Sequence, residues 1–223
     1  MDTKVKGIIL KLTDYKEADK LASIFSLEEG LITAKFNGVK KDRAKYKAVA
    51  QPFCFADFVI NKKQNIGTIT SASVIDNFFL ITSNYQKAMC AYVVVDILQS
   101  LLLKDNPEQE IFLLTISALK DIEQKDEFCS LINFILKFAF FSGVGVEFVE
   151  GENVYLDKDT GNFILQKSGY CVAIDKKVYK LILAINNGHA VELNPTTLKQ
   201  AAKLMHTILF SKFGVEIKSF KYI

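Results

Sequence analysis

Apolar and polar positions follow two different periods along this chain. In the first 80 residues the apolar segments are short, at 5–12, 20–26, 31–36, 53–60 and 68–75, and each reads as a strand. Glu28-Glu29-Gly30 and Asn65-Ile66-Gly67 carry turn chemistry, while Asp14 to Asp19 forms a polar connection. In the fourth segment Cys54, Ala56, Phe58 and Ile60 share one face, and Phe53, Phe55 and Val59 with Asp57 share the other. That pattern predicts a strand largely covered on both sides. The fifth segment alternates Thr68, Thr70, Ala72 and Val74 against Ile69, Ser71, Ser73 and Ile75.

After Asp76 the period becomes helical. Ala88, Ala91, Tyr92, Val95, Leu98 and Leu102 predict a helix over 84–103. Asn106-Pro107 predicts the start of a second, with proline at its first position and a stripe of Ile111, Leu114, Ala118 and Ile122. A third spans about 127–142 and ends at Gly143. Residues 153–166 read as a hairpin around Asp157 to Asn162, within a stretch of strand character reaching 174. Helices return at about 176–186 and 195–212, the last with Asn194 as cap, Pro195 at its first position and Gly214 beyond its end. The expected architecture is α+β and multidomain. Residues 1–80 form a five-stranded barrel of the oligonucleotide/oligosaccharide-binding (OB) type, and residues 81–223 form a helical domain with a cysteine-poor hairpin insertion at about 150–174. An SH3-like barrel is the structural alternative, which strand count alone does not separate.

The net charge of +3 conceals segregation. Residues 33–65 hold Lys35, Lys40, Lys41, Arg43, Lys45, Lys47, Lys62 and Lys63 against only Asp42 and Asp57. A core does not bury so many unpaired cations, so they face water or an anion, and a nucleic acid backbone is the commonest anion that calls for such a cluster. A solubilising loop is the alternative reading. These eight cations are the expected DNA contacts, with Tyr46, inside the basic loop, as the expected platform for base stacking. No residue promises base-specific readout, so binding is expected to be backbone-driven and largely blind to sequence.

Catalysis finds little support. The only histidines are His189 and His206, and no nucleophile elbow, zinc-protease helix, Walker loop or dinucleotide fingerprint occurs. Cys54, Cys90, Cys129 and Cys171 lack metal-ligand spacing and read as reduced thiols of a cytosolic protein. The apolar stretch 132–149 is interrupted by Asn133, Lys137, Gly143, Gly145 and Glu147, which fits a buried helix better than a membrane span.

Several of these segments also resemble a known family. Lys6 to Lys11, Asp14-Tyr15, Glu17 to Leu21, Gly30 to Ala34, Asn37 to Lys41, Gln51-Pro52-Phe53 and Thr70 to Asp76 are similar, in order and spacing, to the RecO recombination mediators of bacterial DNA repair. The helical part is similar more loosely, chiefly over Phe134 to Val146, and Leu209 to Phe220 resembles the family's end weakly. The resemblance implies a non-enzymatic protein that binds single- and double-stranded DNA and anneals complementary strands. It further implies that, with RecR, such a protein helps load RecA onto DNA coated by single-stranded-DNA-binding protein, whose acidic, apolar C-terminal tail it contacts. Phe134, Lys137 and Phe138 are the residues expected to receive that tail. A cytoplasmic, nucleoid-associated location follows from the same resemblance.

One departure matters. Many members carry a four-cysteine zinc module where this chain has residues 149–174, and here only Cys171 falls in that window. One thiolate does not make a tetrahedral structural site, so no zinc and no other cofactor is expected. The hairpin is then expected to rest on packing of Val154, Leu156, Phe163 and Leu165. The rival to the mediator reading is a protein–protein adaptor whose barrel is only a scaffold.

Overall fold

The computed structural model describes residues 2–62, 66–192 and 194–223. Strands β1 (Asp2–Tyr15), β2 (Asp19–Ser26), β3 (Gly30–Phe36), β4 (Phe55–Asn61) and β5 (Gly67–Asp76) close into a barrel in the order β1-β2-β3-β5-β4. The β3–β5 pair is parallel, Ala34 beside Gly67 and Lys35 beside Thr68, and the other ladders are antiparallel. This connectivity is that of an OB-type barrel and resolves the choice left open by strand count.

Register shifts in the β1–β2 and β4–β5 ladders let a five-stranded sheet curl this tightly. In β1 the register with β2 slips between Ile9 and Lys11, and Ile8, Ile9 and Leu10 are consecutively buried. At that point the Phe53 N–H donates to Ile9 O (2.9 Å) and the Ile9 N–H donates to Cys54 O (2.9 Å). In β5 the register with β4 slips so that Ser71 faces Val59 and Ile69 faces Ile60. Thr70 is the extra residue, and Ile69 and Ala72 therefore both pack on the interior despite their odd spacing. The simple alternation expected for this strand does not hold for that reason. Ile9, Ile24, Phe36, Phe58 and Ile60 fill the interior.

The outer wall is apolar along one cross-strand row. Leu31 faces Phe25, Phe25 faces Ile8, and Ile8 faces Phe55, and the first three are buried. Their cover comes from residues 102–113, which cluster with the barrel and not with the helices. Phe112 sets its ring edge-on to Phe25 (5.5 Å) and Phe55 (6.0 Å), and the Asp105 N–H donates to Leu31 O. Gly30, at φ +71°, has no room for a side chain because the Asn106 backbone lies against it. This use of Asn106 and its neighbours explains a difference from the sequence reading. The helix α3 (Gln109–Gln124) starts two residues after Pro107, with Glu108 O accepting from the Phe112 N–H.

The second unit comprises residues 80–101 and 114–223. It contains α2 (Tyr85–Leu101), the later part of α3, α4 (Glu127–Phe141), α5 (Lys176–Asn186) and α6 (Pro195–Phe213). A short helix α1 (Phe79–Ser83) precedes them, and a 3-10 turn (Lys218–Tyr222) ends the chain. Caps follow the sequence chemistry. Asp126 accepts from the Cys129 N–H (2.8 Å), Asp175 from the Lys177 N–H (2.8 Å) and Asn194 from the Thr197 N–H (3.0 Å). Gly214 terminates α6 in the left-handed conformation. Helix α3 has no basic residue in its last turn, and Lys87 of α2 supplies one by donating to Glu123 O (2.6 Å).

The expected hairpin is present and gains a third strand. Strands β6 (Tyr155–Asp157), β7 (Phe163–Ile164) and β8 (Cys171–Ala173) form a sheet in the order β7-β6-β8. Val154, Leu156 and Phe163 are buried, but Leu165 is 47% exposed. The position expected of Leu165 is taken by aromatic packing of Phe163 with Phe148 (5.3 Å) and with Tyr179 (4.9 Å). The Tyr179 hydroxyl donates to Val149 O (2.5 Å) and accepts from the Val149 N–H (3.0 Å). Lys212 closes the other side, its ammonium donating to Gly145 O (2.9 Å) and Asn162 Oδ1 (2.5 Å). Burial lowers the pKa of Lys212, and the nearby Glu147 carboxylate works against that shift.

Candidate nucleic-acid interface

The connection between β3 and β4 is one long loop that folds over the mouth of the barrel. It starts where the Gly38 N–H donates to Asp19 Oδ1 (2.7 Å) and the Lys40 N–H donates to Ala18 O (3.0 Å). Val39 and Val49 sink into the barrel interior, with Ala44 and Ala50 packed against it. Short backbone bonds within 41–50 carry the rest. The apolar residues of the loop thus hold it down while its cations point outward. Lys40, Lys41, Arg43, Lys45 and Lys47 are all exposed.

Tyr46 departs from its expected role. It is half-buried, its ring tilted against Phe36 (6.3 Å) and its hydroxyl donating to Thr70 O (2.6 Å) at the β5 bulge. It seals the barrel mouth, with Lys45 Nζ 5.1 Å from its ring centre. Lys35 lies on β3 opposite Leu21 and is half-buried. Lys62 forms an ion pair with Glu29 (2.5 Å). Lys63 lies outside the described residues.

The structure adds a residue that sequence reasoning missed. A concavity of about 420 Å³ at the barrel mouth is lined by Asp14, Lys20, Lys40, Lys47 and Gln51, among others. Lys20 comes from β2, directly opposite Asp14 of β1 in the ladder, and Lys40 and Lys47 come from the two ends of the basic loop. Lys40 Nζ is 3.1 Å from Asp14 Oδ2. Lys20 stands outside the dense charge run, and only the strand register brings it to the loop. Three cations converging from separate segments can bind a phosphate or another polyanion.

Of the residues expected to receive a partner's tail, Phe134 and Phe138 are core. Their rings stack in series with Phe213, at 5.8 and 5.6 Å, and neither is more than 1% exposed. They are unavailable as a docking surface because α4 packs against α2, α5 and α6 and turns those positions inward. Lys137 is exposed, and the exposed aromatics of α4 are Phe140 and Phe141.

Among the described residues, no group of three or more His, Cys, Asp or Glu side chains could hold a metal ion. All four cysteines are free thiols. Burial, with Asp76 nearby, raises the Cys54 thiol to about 11, and burial with Asp126 and Glu127 raises Cys129 to about 12. Neither is a ready metal ligand or nucleophile at neutral pH. A zinc site of the four-cysteine kind does not fit these residues. Among the described residues, no helix is long and apolar enough to cross a membrane.

Family comparison agrees with the barrel fold. The family described as Recombination protein O N terminal matches residues 1–78, and that described as Recombination protein O C terminal matches residues 82–219. The chain belongs to the RecO family. Among curated relatives named DNA repair protein RecO, that of Desulforamulus reducens is 28% identical over 63% of this chain and 55% of its own length. That of Desulfitobacterium hafniense is 26% identical over 72% and 62%, respectively. The chain thus spans less than two thirds of these RecO proteins in the matched region. The RecO protein of Clostridium novyi, 24% identical, aligns over 97% of this chain and 91% of its own length.

Proposed function

We propose that this chain is a non-enzymatic DNA-binding recombination mediator. The observation that carries the reading is the convergence of Lys20, Lys40 and Lys47 on one concavity of an OB-type barrel, in a chain of the RecO family. Lys41, Arg43 and Lys45 extend the cationic surface along the same loop. Such a surface holds single- and double-stranded DNA through phosphates. It promotes annealing by screening the repulsion between two strands and raising their local concentration. No bond chemistry and no metal is required. RecR and the tail of single-stranded-DNA-binding protein complete the proposed partner set, with RecA loading as the outcome. For the tail contact, Lys137 is the accessible member of the three residues first considered.

The test is binding and annealing of labelled complementary oligonucleotides across a salt series, comparing the chain with its Lys40→Ala/Lys41→Ala/Arg43→Ala variant. If the surface neutralises about four phosphates, single-strand affinity falls roughly 50-fold between 50 and 200 mM salt, from a slope near −0.7 per phosphate. The triple variant flattens that slope. Absence of binding at low salt would put the adaptor reading ahead.

A further inference from the structure

We infer that Asp14 is a built-in competitor for the phosphate seat at the barrel mouth, and that it holds DNA affinity down. The inference rests on the DNA-binding reading above and concerns how that site is regulated. Asp14 and Lys20 face each other across the β1–β2 ladder, near the rim of the barrel. Lys40 reaches back from the start of the basic loop to place its ammonium 3.1 Å from the Asp14 carboxylate. Lys47 and Gln51 line the same concavity from the loop's far end. A carboxylate therefore stands among three cations, in the place where a phosphate oxygen would have to go.

Asp14 is not needed to hold the loop. Asp19 does that by accepting from the Gly38 N–H, and the Ala18 carbonyl does it by accepting from the Lys40 N–H. The Asp14 side chain is 68% exposed, so the pair with Lys40 adds little to folding. Its effect falls on whatever anion approaches. A phosphate entering the concavity must displace Asp14 from Lys40 and then sit within a few ångströms of a like charge. At a solvent-exposed site the lost Lys40 pair and the repulsion together correspond to about a three- to tenfold loss of affinity. Restraint of this kind suits a protein that must release strands once they have paired.

The experiment is oligonucleotide binding by the full chain carrying Asp14→Asn, a nearly isosteric change that removes the charge. The expected result is about three- to tenfold tighter single-strand binding at low salt, opposite in sign to the loss from Lys47→Ala or Lys20→Ala. The salt slope steepens by about 0.7, since Lys40 now neutralises a phosphate of its own. In a Lys40→Ala background the gain from Asp14→Asn shrinks. Unchanged or weaker binding by Asp14→Asn, with an unaltered melting temperature and a wild type that binds, overturns the inference and leaves the DNA reading intact. A gain of full size without Lys40 overturns it equally, because Asp14 would then not act through that lysine. A wild type that binds no oligonucleotide at low salt removes the underlying reading instead.

Discussion

Replacing Phe112 with alanine is expected to loosen the barrel, although the last barrel strand ends far upstream at Asp76. The ring is 2% exposed and meets Phe25 and Phe55 edge-on at 5.5 and 6.0 Å. Those two flank Ile8 in the apolar row on the outer wall. Deleting a buried phenyl ring costs about 3–5 kcal/mol, of which each edge-on pair accounts for roughly 0.5–1.5. The total stability of a domain is about 5–15 kcal/mol, so the loss is a large fraction. At 1.4 kcal/mol per decade it amounts to about two to three and a half orders of magnitude in local opening. Hydrogen exchange read by mass spectrometry on the full chain resolves where the loss falls. Peptides covering 5–12, 21–26, 30–36 and 55–60 should lose protection by that factor, while peptides from α5 and α6 keep theirs. A change of less than tenfold in the barrel peptides, or an equal loss in α5 and α6, would refute the assignment of residues 102–113 to the barrel.

Two further outcomes follow from groups already described. Tyr179→Phe strips both hydrogen bonds from the Val149 backbone and should lower stability by about 1–3 kcal/mol, read as a shifted guanidinium midpoint; an unmoved midpoint would show that the hydroxyl does not anchor that segment. The Cys54 and Cys129 thiols have folded pKa values raised from 9.0 to about 11 and about 12, so the stability they confer is complete below pH 9 and is lost as pH rises through 11–12. The denaturation midpoint should fall across that window, and less so for Cys54→Ala; an identical fall in the variant would exclude Cys54 as a contributor.

Much of the barrel was legible because period-two patterning survives wherever one strand face is interior, as in Ala56, Phe58 and Ile60. The bulges were not. The extra residue at Thr70 carries no distinctive chemistry, and its position is set by the ladder with β4. The role of 102–113 was hidden for a related reason. The stripe Ile111, Leu114 and Ala118 reads as one amphipathic helix, yet the unit boundary falls between residues 113 and 114. Phe134 and Phe138 enter with Lys137 through the family resemblance, which does not separate the faces of α4, a helix apolar enough to be enclosed by its neighbours. The basic loop was visible as composition. Its partner Lys20 was not, because proximity across a ladder depends on register, and so does the opposition of Lys20 to Asp14.

The packed interior of the barrel also has a topological consequence. Phe36, Phe58, Ile9, Ile24 and Ile60 fill the interior, and the loop carrying Val39, Val49 and Tyr46 packs against it. Under the proposed DNA-binding reading, a strand lies along the outside of this barrel and is not threaded through it. Engagement then requires no free end, and nothing has to open and reclose around the polymer. Covalently closed single-stranded circles should compete for the protein as well as linear strands of equal length, and a gap flanked by long duplex should be as accessible as a frayed terminus.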